Sequence, residues 1–296
     1  MFAIDNCSLL VFLLLLFPPP QAIWDLQAAS KLLTTVYLAC LVDTPSMADE
    51  LFYVAHQLVA AKPHASVSWY AVGCYYLLIG KYDQSRHFFR RCTGIDPSFG
   101  EGWVGFAHAF ALQGEHDQAM AAYRTAARMI SNNHLPPLCI AMEYLRVNNV
   151  ALALKFIDNA QQLCPHDALL YNEMGVAHYK DQDFASALAC FQKVVALVGP
   201  ELIRKRVEWE ATLFNMGHVM RRMCNYGEAL KCFGACLGLK PNNPSTLSAI
   251  GLTHHLSNNL DKAIEYYHLA LARSDDAFTN DLLKRALDDF TVPWGK

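Results

Sequence analysis

The sequence predicts an all-α chain, an α-solenoid of helix–turn–helix repeats. Two observations carry this. A pattern of tryptophan, a small residue and an aromatic recurs at a spacing of 34 residues: Trp69, Val72, Gly73 and Tyr76 open one copy, and Trp103, Phe106, Ala107 and Phe110 open the next. Prolines fall near the ends of copies, at Pro97 and Pro165, with Pro200 displaced by one. A residue that lacks a backbone N–H cannot continue a helix, so each proline separates two repeats.

The copies can be taken in order. Repeats start at Ser66, Gly100, His134 and Ala168 without insertion, then at Glu210 and Pro244. The eighth position is small throughout: Gly73, Ala107, Ala141, Gly175, Gly217 and Gly251. So is the twentieth: Ser85, Ala119, Ala153, Ala187, Ala229 and Ala263. Small side chains at both sites let the two helices of a repeat approach closely where they cross. A large residue follows at the twenty-fourth position, Phe89, Tyr123, Ile157, Phe191, Phe233 and Tyr267, as the knob of the second helix. A fixed 34-residue period of this kind marks the tetratricopeptide repeat, so the expected architecture is a right-handed TPR superhelix.

The division that follows is residues 1–31 as an atypical apolar N-terminus outside the fold, 32–65 as a degenerate repeat, and six repeats over 66–275. Their spans are 66–99, 100–133, 134–167, 168–201, 210–243 and 244–277, and 276–296 is a capping helix and tail. The step from Gly175 to Gly217 is 42 residues, and the insertion at 202–209, with Arg204, Lys205, Arg206 and Glu208, reads as extended, solvated helix ends. A last helix near 278–290 carries Lys284, Arg285, Asp288 and Asp289, the polar outer face that a solenoid end requires.

A hydrophobic content of 53% fits a stack in which no repeat buries its apolar face alone. The net charge of −3 excludes the basic stripe of a nucleic-acid binder. Ten cysteines are scattered through helical patterns without a C-x2-C pair, which points to reduced core thiols rather than zinc ligands. The apolar run 9–17, ended by three prolines, is too short to span a bilayer and has no basic residue before it. Nucleus and cytoplasm are the expected locations, with the secretory pathway as the alternative if residues 1–22 act as a signal.

Chemistry is sparse. There is no phosphate loop, nucleophile elbow or zinc helix, and adjacent His254 and His255 point about 100° apart on a helix, so they cannot chelate together. Glu115, His116 and Asp117 read as a solvated turn with capping potential. No catalysis, cofactor or metal is expected.

The remaining functional surface is a groove lined by the first helices. The expected peptide-groove residues are Tyr70, His108 and Met142 in the early repeats. In the later ones they are Asn172, Tyr179, Lys180, Phe214, Asn215, His218, Arg221, Arg222, Ser248 and His255. The early lining is more apolar and the later one polar and mildly basic, so a peptide would set apolar anchors in the first stretch and hydrogen-bond to Asn172, Asn215 and His218 in the second. No repeat carries the Lys and Asn pair with which chaperone adaptors hold a terminal carboxylate.

The residues outside the repeat consensus carry a resemblance. The strings VSWYAVGCYY at 67–76, EHDQAMAAY at 115–123, NMGHV at 215–219 and YGEAL at 226–230 closely resemble the cell-division-cycle-sixteen subunits of the anaphase-promoting complex. So do LFYVAH at 51–56, HLP at 134–136 and SAIG at 248–251. The resemblance runs from about Leu38 to Asp276 and includes the insertion. It implies a non-catalytic scaffold of an E3 ubiquitin ligase that marks cyclins and securin for destruction in mitosis. It also implies partners among the other subunits, including a small one of the cell-division-cycle-twenty-six type, whose N-terminal segment the C-terminal repeats enclose. The family's additional N-terminal repeats, which form its homodimer, have no counterpart before Leu32, so a truncated member is expected and dimerisation is in doubt. A generic TPR adaptor outside the ubiquitin system is the alternative.

Overall fold

The computed structural model describes residues 47–291, together with 35, 38, 39, 41 and 42. Residues 1–34, with the apolar run at 9–17, lie outside the described residues, as does most of the degenerate copy before Met47. Among the described residues there are helices and turns and no strand. They divide into two compact units, one ending at Pro165 and one beginning at His166.

In unit 1 the helices are α1 (Ala48–Ala61), α2 (Ser66–Leu78), α3 (Tyr82–Ile95), α4 (Gly100–Leu112), α5 (His116–Met129), α6 (Leu135–Arg146) and α7 (Val150–Leu163). In unit 2 they are α8 (Ala168–Lys180), α9 (Phe184–Val198), the short α10 (Pro200–Ile203), α11 (Glu210–Arg222), α12 (Tyr226–Leu239), α13 (Pro244–Leu256), α14 (Leu260–Leu271) and α15 (Ala277–Thr291). Within each unit consecutive helices pack as antiparallel pairs, and each pair packs on the next.

The crossing is built from the small positions. The ring of Phe233 lies so close to Gly217 that a Cβ there would meet Cε1 at 2.6 Å, and Phe89 sits over Gly73 in the same way at 2.7 Å. Each of these knobs is fully buried, a stabilisation of roughly 1.5–3 kcal/mol per side chain. Ser85, the polar member of the twentieth-position set, donates its hydroxyl to the carbonyl of Gly73 at 2.9 Å, so no buried polar group is left open there. The consensus tryptophans tie repeats together: Trp69 Nε1 donates to the carbonyl of Pro63 and Trp103 Nε1 to that of Pro97, at 2.8 and 3.0 Å.

The turn inside each repeat ends its first helix with one left-handed residue at the fifteenth position. Gly80, Gly114, Asn148, Gln182, Cys224 and Asn258 all have φ between 60° and 79°. Glycine and asparagine accept this conformation readily; Gln182 and Cys224 hold it against a steric cost. Three second helices start on a side-chain cap, at Asn149, Asp183 and Asn225.

Three expectations need correction. The insertion at 202–209 is not an extension of solvated helix ends. It forms α10 and a 3₁₀ turn at Val207–Trp209, and Ile203 and Trp209 are buried plugs. Their apolar bulk outweighs the charges between them. His116 and Asp117 do not lie in a turn but open α5, and Glu115 makes no side-chain cap. Instead Glu115 pairs with Arg86 at 2.8 Å, and His116 Nδ1 donates to the buried carboxylate of Glu143 at 2.6 Å, which Arg146 also holds at 2.6 Å. The last helix is not uniformly polar outside, since Phe278, Leu287 and Phe290 are exposed beside its charged residues.

Candidate functional site

Unit 1 contributes little open polar surface from the expected groove set. Tyr70 is core: it is 4% exposed, lies against Phe89 and Phe99, and is not a surface residue. Its hydroxyl is held near Cys74, and burial pushes the Cys74 thiol up to about 12. His108 is partly buried, with Nδ1 2.6 Å from the hydroxyl of Tyr123. Burial, first of all, lowers its pKa to about 3, so the ring is neutral and shares a hydrogen bond with the phenol. Met142 is partly buried on α6, while Leu145 beyond it is core. A cavity of about 490 Å³ in this unit opens instead beside the second helices, with Arg124, Arg128, Ile140 and Phe156 on its walls.

Unit 2 is different. Tyr179, Asn215, His218 and Arg221 converge with Val176 and Phe191 on a cavity of about 280 Å³. His218 and Arg221 also wall a second cavity of about 490 Å³, shared with Ser248, Leu252, Asp275, Asp276 and Thr279. Most of these residues come from the first helices α8, α11 and α13; Phe191 comes from the second helix α9, Asp275 and Asp276 from the loop before α15, and Thr279 from its first turn. The helical spacing of α11 puts positions 9 and 12 on one face. Phe214 braces His218, with ring centroids 4.4 Å apart, and both rings pack edge-on to the Phe233 knob. Arg221 Nη2 donates to His218 Nδ1 at 3.0 Å. Burial, then the positive charge of Arg221, lowers the His218 pKa to about 4, so this ring too is neutral.

The other expected residues are engaged in other ways. Asn172 is not available to a peptide: it is buried, receives the Thr212 hydroxyl at 2.8 Å and donates to Glu173 at 2.9 Å. Thr212 faces it from α11 and needs an acceptor, which is why an amide sits there. Lys180 is exposed at the end of α8. Arg222 is exposed but lies over the Phe184 ring at 5.2 Å, a packing role the sequence did not suggest. Ser248 shares a hydrogen bond with Thr279 at 2.9 Å, and His255 Nε2 meets Asp289 at 2.9 Å, so both tie α13 to α15. Sequence reasoning missed Asp275, Asp276 and Thr279 as cavity walls, since they lie beyond the sixth first helix; an Asp three residues before a Thr at a helix start was the available signal. Asp276 accepts from the Thr279 amide and hydroxyl, which holds its carboxyl below the usual range.

Among the described residues no cluster of His, Cys, Asp and Glu could hold a metal, and no helix is long and apolar enough to cross a membrane. What the arrangement offers is recognition: donors and one guanidinium at the edges of apolar cavities.

Two profiles described as tetratricopeptide repeat match residues 67–99 and 246–280. The human protein named cell division cycle protein 16 homolog is 39% identical over 86% of this chain and 41% of its own length. Anaphase-promoting complex subunit 6 of Arabidopsis thaliana is 40% identical over 86% of the chain and 47% of its own length. The chain therefore spans less than half the length of these relatives. The solved structure of the APC/C hetero-tetramer Cut9–Hcn1 matches with a TM-score of 0.84 and 34% identity, covering 96% of this chain and 52% of that one.

Proposed function

Because the chain belongs to the cell-division-cycle-sixteen family of tetratricopeptide-repeat proteins, we propose that it serves as a non-catalytic scaffold of the anaphase-promoting complex. In this reading it acts in cell-cycle control, within the ubiquitin-conjugation pathway and in the nucleus and cytoplasm. It holds a segment of a small Hcn1-type subunit against the first helices, and the unit-2 cavities take part of that segment. Tyr179, Asn215, His218, Arg221 and Ser248 orient it, while Phe214 braces His218 from behind.

The observation that carries the reading is the match to Cut9 across 96% of this chain, in a structure whose other component is Hcn1. The chemistry agrees with a binding role. The perturbed histidines are held neutral by burial rather than set against a nucleophile, and the cavities are walled by donors, apolar side chains and capping carboxylates.

Affinity purification of the full chain from dividing cells tests this. Other subunits of the complex, including the small one, should copurify. Recovery of the chain without any of them would overturn the scaffold reading. The purified chain with ubiquitin-charged E2 should transfer no ubiquitin by itself.

A further inference from the structure

We infer that Arg221 is the receptor for a carboxylate side chain, Asp or Glu, on the peptide that enters the unit-2 cavities. This rests on the groove reading above and adds a chemical class to it. Arg221 makes one hydrogen bond, from Nη2 to His218. Its Nε is buried and has no partner. A guanidinium donor withdrawn from water without an acceptor is costly, and native proteins keep few of them unless a ligand completes the site. No carboxylate among the described residues pairs with Arg221. The groups that act on its charge are Arg222 and the phenols of Tyr179, Tyr226 and Tyr267, and burial, first among the causes, lowers its pKa.

The ligand class follows from the donor set. The Nε edge of a guanidinium presents Nε–H beside one N–H of Nη2. Nη2 carries two N–H bonds, so with one given to His218 from the far side the other lies parallel to Nε–H, and that pair matches the two oxygens of a carboxylate. Because arginine only donates, His218 Nδ1 accepts, and the neutral ring therefore carries its proton on Nε2 as a further donor. Asn215 and Tyr179 add an amide and a hydroxyl at the same 280 Å³ cavity, which has no acidic residue on its walls. The neighbouring 490 Å³ cavity holds Asp275 and Asp276. Their charge opposes a second anion there, so the acidic residue belongs on the side of Val176 and Phe191. An uncharged or basic neighbour belongs on the other.

The test uses the full chain and capped hexapeptide pools with Glu, or its isostere Gln, fixed at one position, read by fluorescence polarisation. The wild type should bind the best Glu pool about ten-fold more tightly than the matching Gln pool. R221M should bring that ratio near one, and R221K, which keeps the charge but not the fork, should retain part of it. Melting curves of both variants establish that they fold, and R221K carries the test if R221M does not. Equal binding of Glu and Gln pools by the wild type, or a preference that survives in R221M, overturns the inference while leaving the groove reading intact. No binding of any pool overturns both.

Discussion

Repeats two and five carry the same histidine at the ninth position and nearly the same ring geometry, yet one is closed and the other open. His108 and Tyr123 lie 5.4 Å apart at 74°, and His218 and Phe233 lie 5.2 Å apart at 73°. The difference is one oxygen. Tyr123 gives His108 a partner inside the repeat. Phe233 has none to give; His218 instead accepts from Arg221 Nη2, and the Nε of that same guanidinium has no partner. A core substitution thus decides whether a polar group is absorbed by the fold or left for a ligand.

Acidification should separate the two repeats from neutral behaviour most strongly. Both histidines have folded pKa values depressed below the ordinary 6.5, to about 3 for His108 and about 4 for His218. The unfolded chain therefore binds protons first. Stability is fully present above pH 6.5 and falls as the pH drops, by at most about 1.4 kcal/mol per pH unit for each histidine. The loss levels off near pH 4 for His218 and near pH 3 for His108. Denaturant titrations of H108L and H218L between pH 7 and 4 should each show a shallower acid slope than the wild type. An unchanged slope in either would mean that its ring is not held neutral.

Filling the crossing comes next. Gly217→Leu drives a side chain into the Phe233 ring and should cost on the order of 1–3 kcal/mol, seen as a lower melting temperature. An unchanged melt would place the fifth repeat in a different register. Tyr123→Phe removes the partner of the partly buried His108 imidazole and should cost about 1–2 kcal/mol. The converse, Phe233→Tyr, should shift stability by less than about 1 kcal/mol. It would sharpen the comparison by offering His218 the hydroxyl that His108 has. Release of Arg221 from His218, visible as a changed Nε–H resonance, is the expected readout. The smallest effect is a gain: Gln182→Gly relieves the left-handed turn and should stabilise by about 0.5–1 kcal/mol, whereas Gly80→Gln should cost a comparable amount.

Much of the fold could be read from the chain because a repeat reports the same local contact many times over. The small eighth position and the large twenty-fourth lie against each other in repeat after repeat, as the packing of Phe233 over Gly217 and Phe89 over Gly73 illustrates. The groove set was harder to read. Position within a first helix gives a direction, but not the depth to which a side chain sinks. Tyr70 went into the core because Phe89 and Phe99 leave room for a ring, and Asn172 because Thr212 needed an acceptor. The segment Glu115–Asp117 was misread for the opposite reason: Glu115 and His116 serve partners far along the chain, Arg86 and Glu143.

The sequence by itself determined the paired helices, their crossing points and the kinship, since these depend on periodicity and on strings of residues. Only the tertiary structure decided that Ile203 and Trp209 plug the insertion, that Glu143 is a buried charge clamped from two sides, and that Arg221 keeps an unpaired donor. Each of these depends on which groups from separate helices exclude water together, and burial of that kind is a property of the assembled packing rather than of any segment.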